Sequence, residues 1–162
     1  MTTRPFPVRP MLAAYIAGLF DGEGSIAVTY SRPSPTRRRG HYNLLVAINM
    51  SHESTIASLH RRFGGSQRTY QPTRGRRLYG WAVGEWRAIR FLRTVRPFLH
   101  VKRAQADLAF RFMETKRAEH RKLFDQLPQG ILERRTAFYE QMGMLNESHW
   151  WRKRRLSGGH SK

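Results

Sequence analysis

The stretch Ile16-Ala17-Gly18-Leu19-Phe20-Asp21-Gly22-Glu23-Gly24 leaves this chain little freedom of fold, because an apolar run ends abruptly in two carboxylates interleaved with glycines. Pro10 suits a first helical turn, and Leu12, Tyr15, Ile16, Leu19 and Phe20 recur at helical spacing. This pattern predicts a helix from Met11 to Phe20 that Asp21-Gly22 stops. Ala13 with Ala17, and Ala14 with Gly18, put small residues on adjacent faces of that helix, where a second helix can approach closely. The helix therefore asks for a partner, and its end gathers oxygen donors of the kind hard divalent cations take.

The pattern then changes period. Ser25 to Tyr30 alternates polar and apolar residues, and so does His41 to Met50 beyond the loop Arg32 to Gly40, which predicts a hairpin with a long basic tip. Ser54 reads as the N-cap of a short helix carrying Ile56, Leu59 and Phe63, which Gly64-Gly65 closes. Gln67 to Gln71 and Arg76 to Val83 form a second hairpin around Pro72-Thr73-Arg74-Gly75. Helical spacing returns from Glu85, with Ile89, Leu92 and Val95, and Pro97 ends that segment. A longer helix follows from Val101 to about Lys122, and after Pro128-Gln129-Gly130 a last one uses Leu132, Phe138 and Met142. The predicted class is α+β, ordered αββαββα with more helix behind: an antiparallel four-stranded saddle with helices packed on its other face. Residues 1–150 read as one domain. Residues 151–162, basic and Gly/Ser-rich, read as a disordered tail.

Composition narrows the partner. A formal charge of +19 and a pI near 11.6 point to a polyanion, with nucleic acid as the default. The basic residues fall in short groups spread over the chain, not along one amphipathic helix, which argues against a membrane surface. Arg supplies 25 of the 30 basic residues, favouring bidentate contacts to phosphate and guanine. There is no cysteine, so a thiolate metal site and a disulfide framework are both excluded. The N-terminal residues lack a signal-peptide pattern, and the apolar run Met11 to Phe20 is about half the roughly 20 residues of a membrane span. The expectation is a soluble, intracellular protein. Its Arg-rich, Lys-poor make-up favours a bacterial or phage-infected cytoplasm over an AT-rich organelle.

The segment Ile16 to Gly24, continued by Ser25-Ile26, resembles the signature of the LAGLIDADG homing endonucleases. The likeness extends through Ser51-His52, Phe63-Gly64-Gly65, Trp81-Ala82-Val83 and Pro97-Phe98-Leu99 with Lys102, and so covers roughly residues 10 to 115. One motif copy implies a homodimer whose motif helices meet at a two-fold axis, with Ala13, Ala14, Ala17 and Gly18 at the interface and the two Glu23 carboxylates brought together. The resemblance assigns metal binding to Glu23, which with the Gly22 carbonyl offers the hard oxygen donors that suit Mg²⁺ or Mn²⁺; Asp21 is expected to fix the turn or the surroundings of those donors, although two nearby carboxylates could both contribute. Paired metals of this kind activate water and stabilise the leaving oxygen in phosphodiester hydrolysis. Lys102 falls where similar enzymes carry an active-site lysine. His52 stands where they most often have Gln, and is expected to order the water network or a metal-bound water. A further basic helper seen in some relatives has no match here, since Ile56 falls near its place.

Antiparallel ribbons fit the major groove, so one face of the saddle should read DNA. By alternation that face holds Ala27, Thr29, Ser31, Asn43, Ala47 and Asn49 from the first hairpin. From the second it holds Arg68, Tyr70, Arg77 and Tyr79, where a one-residue slip would exchange the faces. Arg37, Arg38 and Arg39 should reach outer base pairs or phosphates. The implied activity is Mg²⁺-dependent, site-specific double-strand cleavage of a long pseudo-palindromic target with short 3′ overhangs, by an enzyme borne on a mobile intron or intein-like element. The alternative is a non-catalytic binder on the same scaffold, an intron RNA-splicing maturase or a DNA-binding regulator. A basic ribosomal-type protein, the third reading, leaves the motif helix unexplained.

Overall fold

The computed structural model describes residues 8–35, 40–120 and 129–146. Helix α1 spans Pro10–Glu23, with Pro10 in its first turn. It runs three residues past the predicted stop: Gly22 stays helical, and the break comes at Gly24, whose N–H donates to Phe20 O. Strand β1, Gly24–Ser31, starts there with no intervening loop. A Cβ at position 24 would overlap the Phe20 ring, so only glycine lets the chain turn from helix to strand against that side chain.

Strand β2 is His41–Met50, α2 is Glu53–Phe63, β3 is Ser66–Tyr70 and β4 is Leu78–Gly84. The α2 N-cap is His52 and not Ser54. Gly65, at φ +97°, turns the chain from α2 into β3, where a Cβ would collide with the Ala82 carbonyl. Helix α3 (Glu85–Val95) is followed by a 3₁₀ turn at Arg96–Phe98, forced by Pro97. Helices α4 (Arg103–His120) and α5 (Gln129–Leu145) complete the described chain.

The four strands form one antiparallel sheet in the order β1-β2-β4-β3. Alternation buries Ile26, Val28, Tyr42, Leu44, Val46, Ile48, Trp81 and Val83 on one face. Against that face pack Ile16, Ala17 and Phe20 of α1, Ile56, Leu59 and Phe63 of α2, Phe91 and Leu92 of α3, Phe112 and Met113 of α4 and Met142 of α5. The opposite face carries no helix among the described residues. The predicted α+β saddle with helices on one side is therefore the observed architecture. Its last described helix adds one device: Asn146 Nδ2, just past α5, donates to Ile26 O at 2.9 Å and ties the end of that helix to the edge strand β1.

Candidate functional site

The two carboxylates at the end of α1 have opposite surroundings. Asp21 is half-buried and turned towards the start of α4: its Oδ2 accepts the His100 N–H at 2.7 Å and its Oδ1 the Lys102 N–H at 2.9 Å. Lys102 Nζ donates to the Asp21 carbonyl. The Lys102 carbonyl accepts the Ala106 N–H at 3.0 Å, which makes Lys102 the residue from which α4 springs. Asp21 thus ties down backbone N–H groups of the turn that leads into α4, and its charge sits at the positive end of the α4 dipole. This tether also explains why α4 begins at Arg103 and not at Val101, since residues 100 to 102 are drawn into a turn around one carboxylate.

Partial burial raises the Asp21 pKa, but the N–H groups of His100, Lys102 and Val101, joined by the Lys102 charge, outweigh it and hold the carboxyl below its ordinary value. A depressed folded-state pKa stabilises the fold at every pH above the unfolded value, about 3.9 for Asp, and that contribution disappears as pH falls through the folded-state value. Wild type should therefore exceed Asp21→Asn in melting temperature at pH 7, with the gap closing below about pH 4. Parallel pH profiles of the two proteins would show that this tether carries no linkage.

Glu23, two residues on, is exposed, as is Gly22. A carboxylate and a backbone carbonyl are hard oxygen donors that fit Mg²⁺ or Mn²⁺. Among the described residues no three His, Asp or Glu side chains converge on a point where one chain alone could hold a metal. His52 is exposed at the N-cap of α2, with its Nδ1 2.7 Å from Thr55 Oγ1 and 3.4 Å from Ser54 Oγ. Its ring contacts are thus within the first turn of its own helix. Of the predicted catalytic and metal-site residues, Asp21 and Lys102 are brought into direct contact.

The outward stripe of α1 differs from the expected one. Ala13 and Ala17, anticipated at an interface, are 3% and 0% exposed and belong to the chain's own core. Ala14, Gly18 and Gly22 face solvent, flanked by Met11 at 88% and Tyr15 at 61% exposure. Small residues thus recur every four positions along an open face, with two exposed large apolar side chains beside it.

On the helix-free face of the sheet, Ala27, Thr29, Ser31, Ala47 and Asn49 stand where alternation places them, and Arg68 and Tyr70 join them through β3. Asn43 has the same parity, but its Oδ1 accepts from Lys116 Nζ of α4 at 3.4 Å. Arg77 and Tyr79 do not. Register pairs Tyr70 with Leu78 and Arg68 with Gly80, so Leu78, Gly80 and Ala82 are the outward residues of β4. Tyr79 shares the parity of Trp81 and packs on the core, and Arg77 lies before the strand, its Nε donating to Gln71 Oε1 at 2.9 Å. Sequence reasoning also missed Ser25, His41, Leu45 and Ser66, which carrying the alternation along the whole of each strand would have found. Arg37, Arg38 and Arg39 and residues 151–162 lie outside the described residues.

No family model and no curated protein matches the chain. Solved structures do. The homing endonuclease I-CvuI, in complex with the I-CreI target in the presence of Mg and with the DNA not cleaved, superposes with a TM-score of 0.68 at 16% identity over 94% of this chain and 97% of its own. The archaeal intron-encoded homing endonuclease I-Vdi141I, complexed with DNA, gives 0.66 at 17% identity over 85% and 86%. The LAGLIDADG homing endonuclease I-GzeII, also with its DNA target, gives 0.63 at 13% identity, 82% of this chain spanning 44% of that one. The helices and the open four-stranded sheet thus share the α+β fold of these structures. The chain has the LAGLIDADG homing endonuclease fold.

Proposed function

We propose that this chain is a site-specific double-strand DNA endonuclease of the LAGLIDADG homing type, acting as a homodimer on a long pseudo-palindromic target and leaving short 3′ overhangs. The observation that carries the proposal is the division of labour at the end of α1. Asp21 is consumed in holding α4, whereas Glu23 stands exposed beside an open stripe of small residues. A two-fold axis along Ala14, Gly18 and Gly22 would bring two Glu23 carboxylates together and assemble a donor set that one chain lacks.

Glu23 and the Gly22 carbonyl would hold Mg²⁺ or Mn²⁺, which when bound activates water and stabilises the leaving oxygen. Asp21 fixes the end of α1 against residues 100 to 102, so the Lys102 ammonium is kept at the same helix end, where it can stabilise negative charge growing on the scissile phosphate. The helix-free saddle offers its polar and small side chains to the major groove, and a charge of +19 supplies the attraction to phosphate. The DNA-bound complexes of I-CvuI and I-Vdi141I support the same use of the fold.

The direct test is cleavage selection on a randomised DNA library with Mg²⁺. One long sequence cut on both strands is expected, and DNA enriched by binding but never cut would leave only the non-catalytic binder. The dimer has its own test in Gly18→Leu. Within the chain nothing lies within 4 Å of a Cβ at position 18, and replacing a mid-helix glycine gains about 0.5–1 kcal/mol of helix stability. The variant should fold yet sediment as a monomer at concentrations where wild type is a dimer, and a dimeric variant would remove this stripe from the interface.

A further inference from the structure

On the helix-free face of the sheet, rows of side chains run across the strands, and most are short. Ser25, Ala47, Ala82 and Ser66 form one row, and the row beside it is Ala27, Leu45 and Gly84. Leu45 is thus a branched apolar side chain between an alanine and a glycine, and its neighbours on the same face of β2 are Asn43 and Ala47. It is 39% exposed although Leu44 and Val46, on either side of it in sequence, are buried. It contributes nothing to the core that the opposite face builds.

We infer that Leu45 reads a C5-methyl group in the major groove, that of a thymine in the target. The inference rests on the DNA-reading function proposed above, and the chain's charge supports a duplex as the occupant of this face. Of the groups a base pair shows in the major groove, the thymine methyl is the apolar one; the others are hydrogen-bond donors and acceptors, which Leu45 would desolvate without replacing their water. Short side chains at 27, 47, 82 and 84 let the base edges approach closely enough for one protruding side chain to make van der Waals contact. Because 5-methylcytosine carries its methyl at the same ring position, the contact should also distinguish methylated from unmethylated cytosine at that base pair.

The experiment uses the full chain and the duplex recovered by selection, with each thymine replaced in turn by deoxyuridine and binding measured by fluorescence anisotropy at one fixed salt concentration. For wild type, one thymine in each half-site should lose about fourfold in affinity on removal of its methyl, the factor that burial of a single such group carries. In Leu45→Ala that loss should vanish at the same position, while Leu45→Met, still apolar and long, should retain it. At that position 5-methylcytosine should bind better than cytosine to wild type and equally to Leu45→Ala. If every deoxyuridine substitution costs wild type and Leu45→Ala the same, Leu45 reads no methyl group. A chain that selects no DNA at all would overturn the endonuclease proposal as well, so the two failures are distinct.

Discussion

Glu23→Gln should reduce cleavage of the selected target by roughly 10³-fold in single-turnover assays with Mg²⁺, the scale on which removal of one preorganised charge acts. Binding and fold should both survive. Glutamine keeps the length of the side chain and one oxygen, but loses the charge that makes a carboxylate a ligand for a hard cation. Stability should not fall with activity. Glu23 lies in the last turn of α1, at the negative end of the helix dipole, and no basic residue shares that turn. A carboxylate there costs about 0.3–1 kcal/mol, so neutralising it should leave the melting temperature unchanged or slightly raised. In the proposed homodimer two such carboxylates would face each other, and the variant should then associate more tightly without metal. Loss of activity with equal or greater stability separates a group kept for chemistry from one kept for structure. Cleavage within tenfold of wild type would remove Glu23 from the site.

The saddle was legible because its physics is local. In β1 and β2, strict alternation from Ile26 to Ile48 puts branched and aromatic residues on the core face, and no tertiary knowledge is needed to see which side is wet. The second hairpin was half legible. Its strands could be found, but which residue of β4 meets Tyr70 depends on how the turn from Gln71 to Arg77 is spaced, and counting one residue wrongly sent Tyr79 outward and Leu78 inward. Helix α1 posed a different problem. Its apolar residues lie all round, so two small-residue pairs four apart, Ala13 with Ala17 and Ala14 with Gly18, looked equivalent until the sheet claimed one of them. Gly22 looked like a terminator because glycine usually is one, yet the helix ends where the Phe20 ring leaves room for nothing larger at position 24. The contact that gives Asp21 its role joins residues 79 positions apart, and nothing in the spacing of either segment reveals it.

Trp81→Ala should destabilise the fold by about 3–5 kcal/mol, measured by denaturant unfolding. Trp81 is fully buried at the centre of an aromatic cluster, its ring 5.0 Å from Phe91 and 6.1 Å from Phe63. Phe91 in turn meets Phe63 at 5.0 Å and Phe20 at 5.1 Å, both edge-on. The cluster therefore links β4, α2 and α3 to the last core residue of α1, which immediately precedes Asp21. The indole also makes a hydrogen bond, its Nε1 donating at 2.7 Å to the carbonyl of Gly64, the residue that closes α2. Trp81→Phe keeps most of the packing but loses that hydrogen bond, at a cost of about 0.5–1.5 kcal/mol. The loss to alanine is a large fraction of the roughly 5–15 kcal/mol that holds a typical domain together. Trp81→Ala should thus be partly unfolded at 37 °C, whereas Trp81→Phe should remain folded and cleave DNA at reduced temperature. The two substitutions separate support of the motif helix from chemistry, since a cavity beside Phe91 and Phe63 weakens the ring that holds Phe20, frees α1 to tilt and carries Glu23 with it. If Trp81→Ala lay within about 1 kcal/mol of wild type, the cluster would not be what holds the motif helix in place.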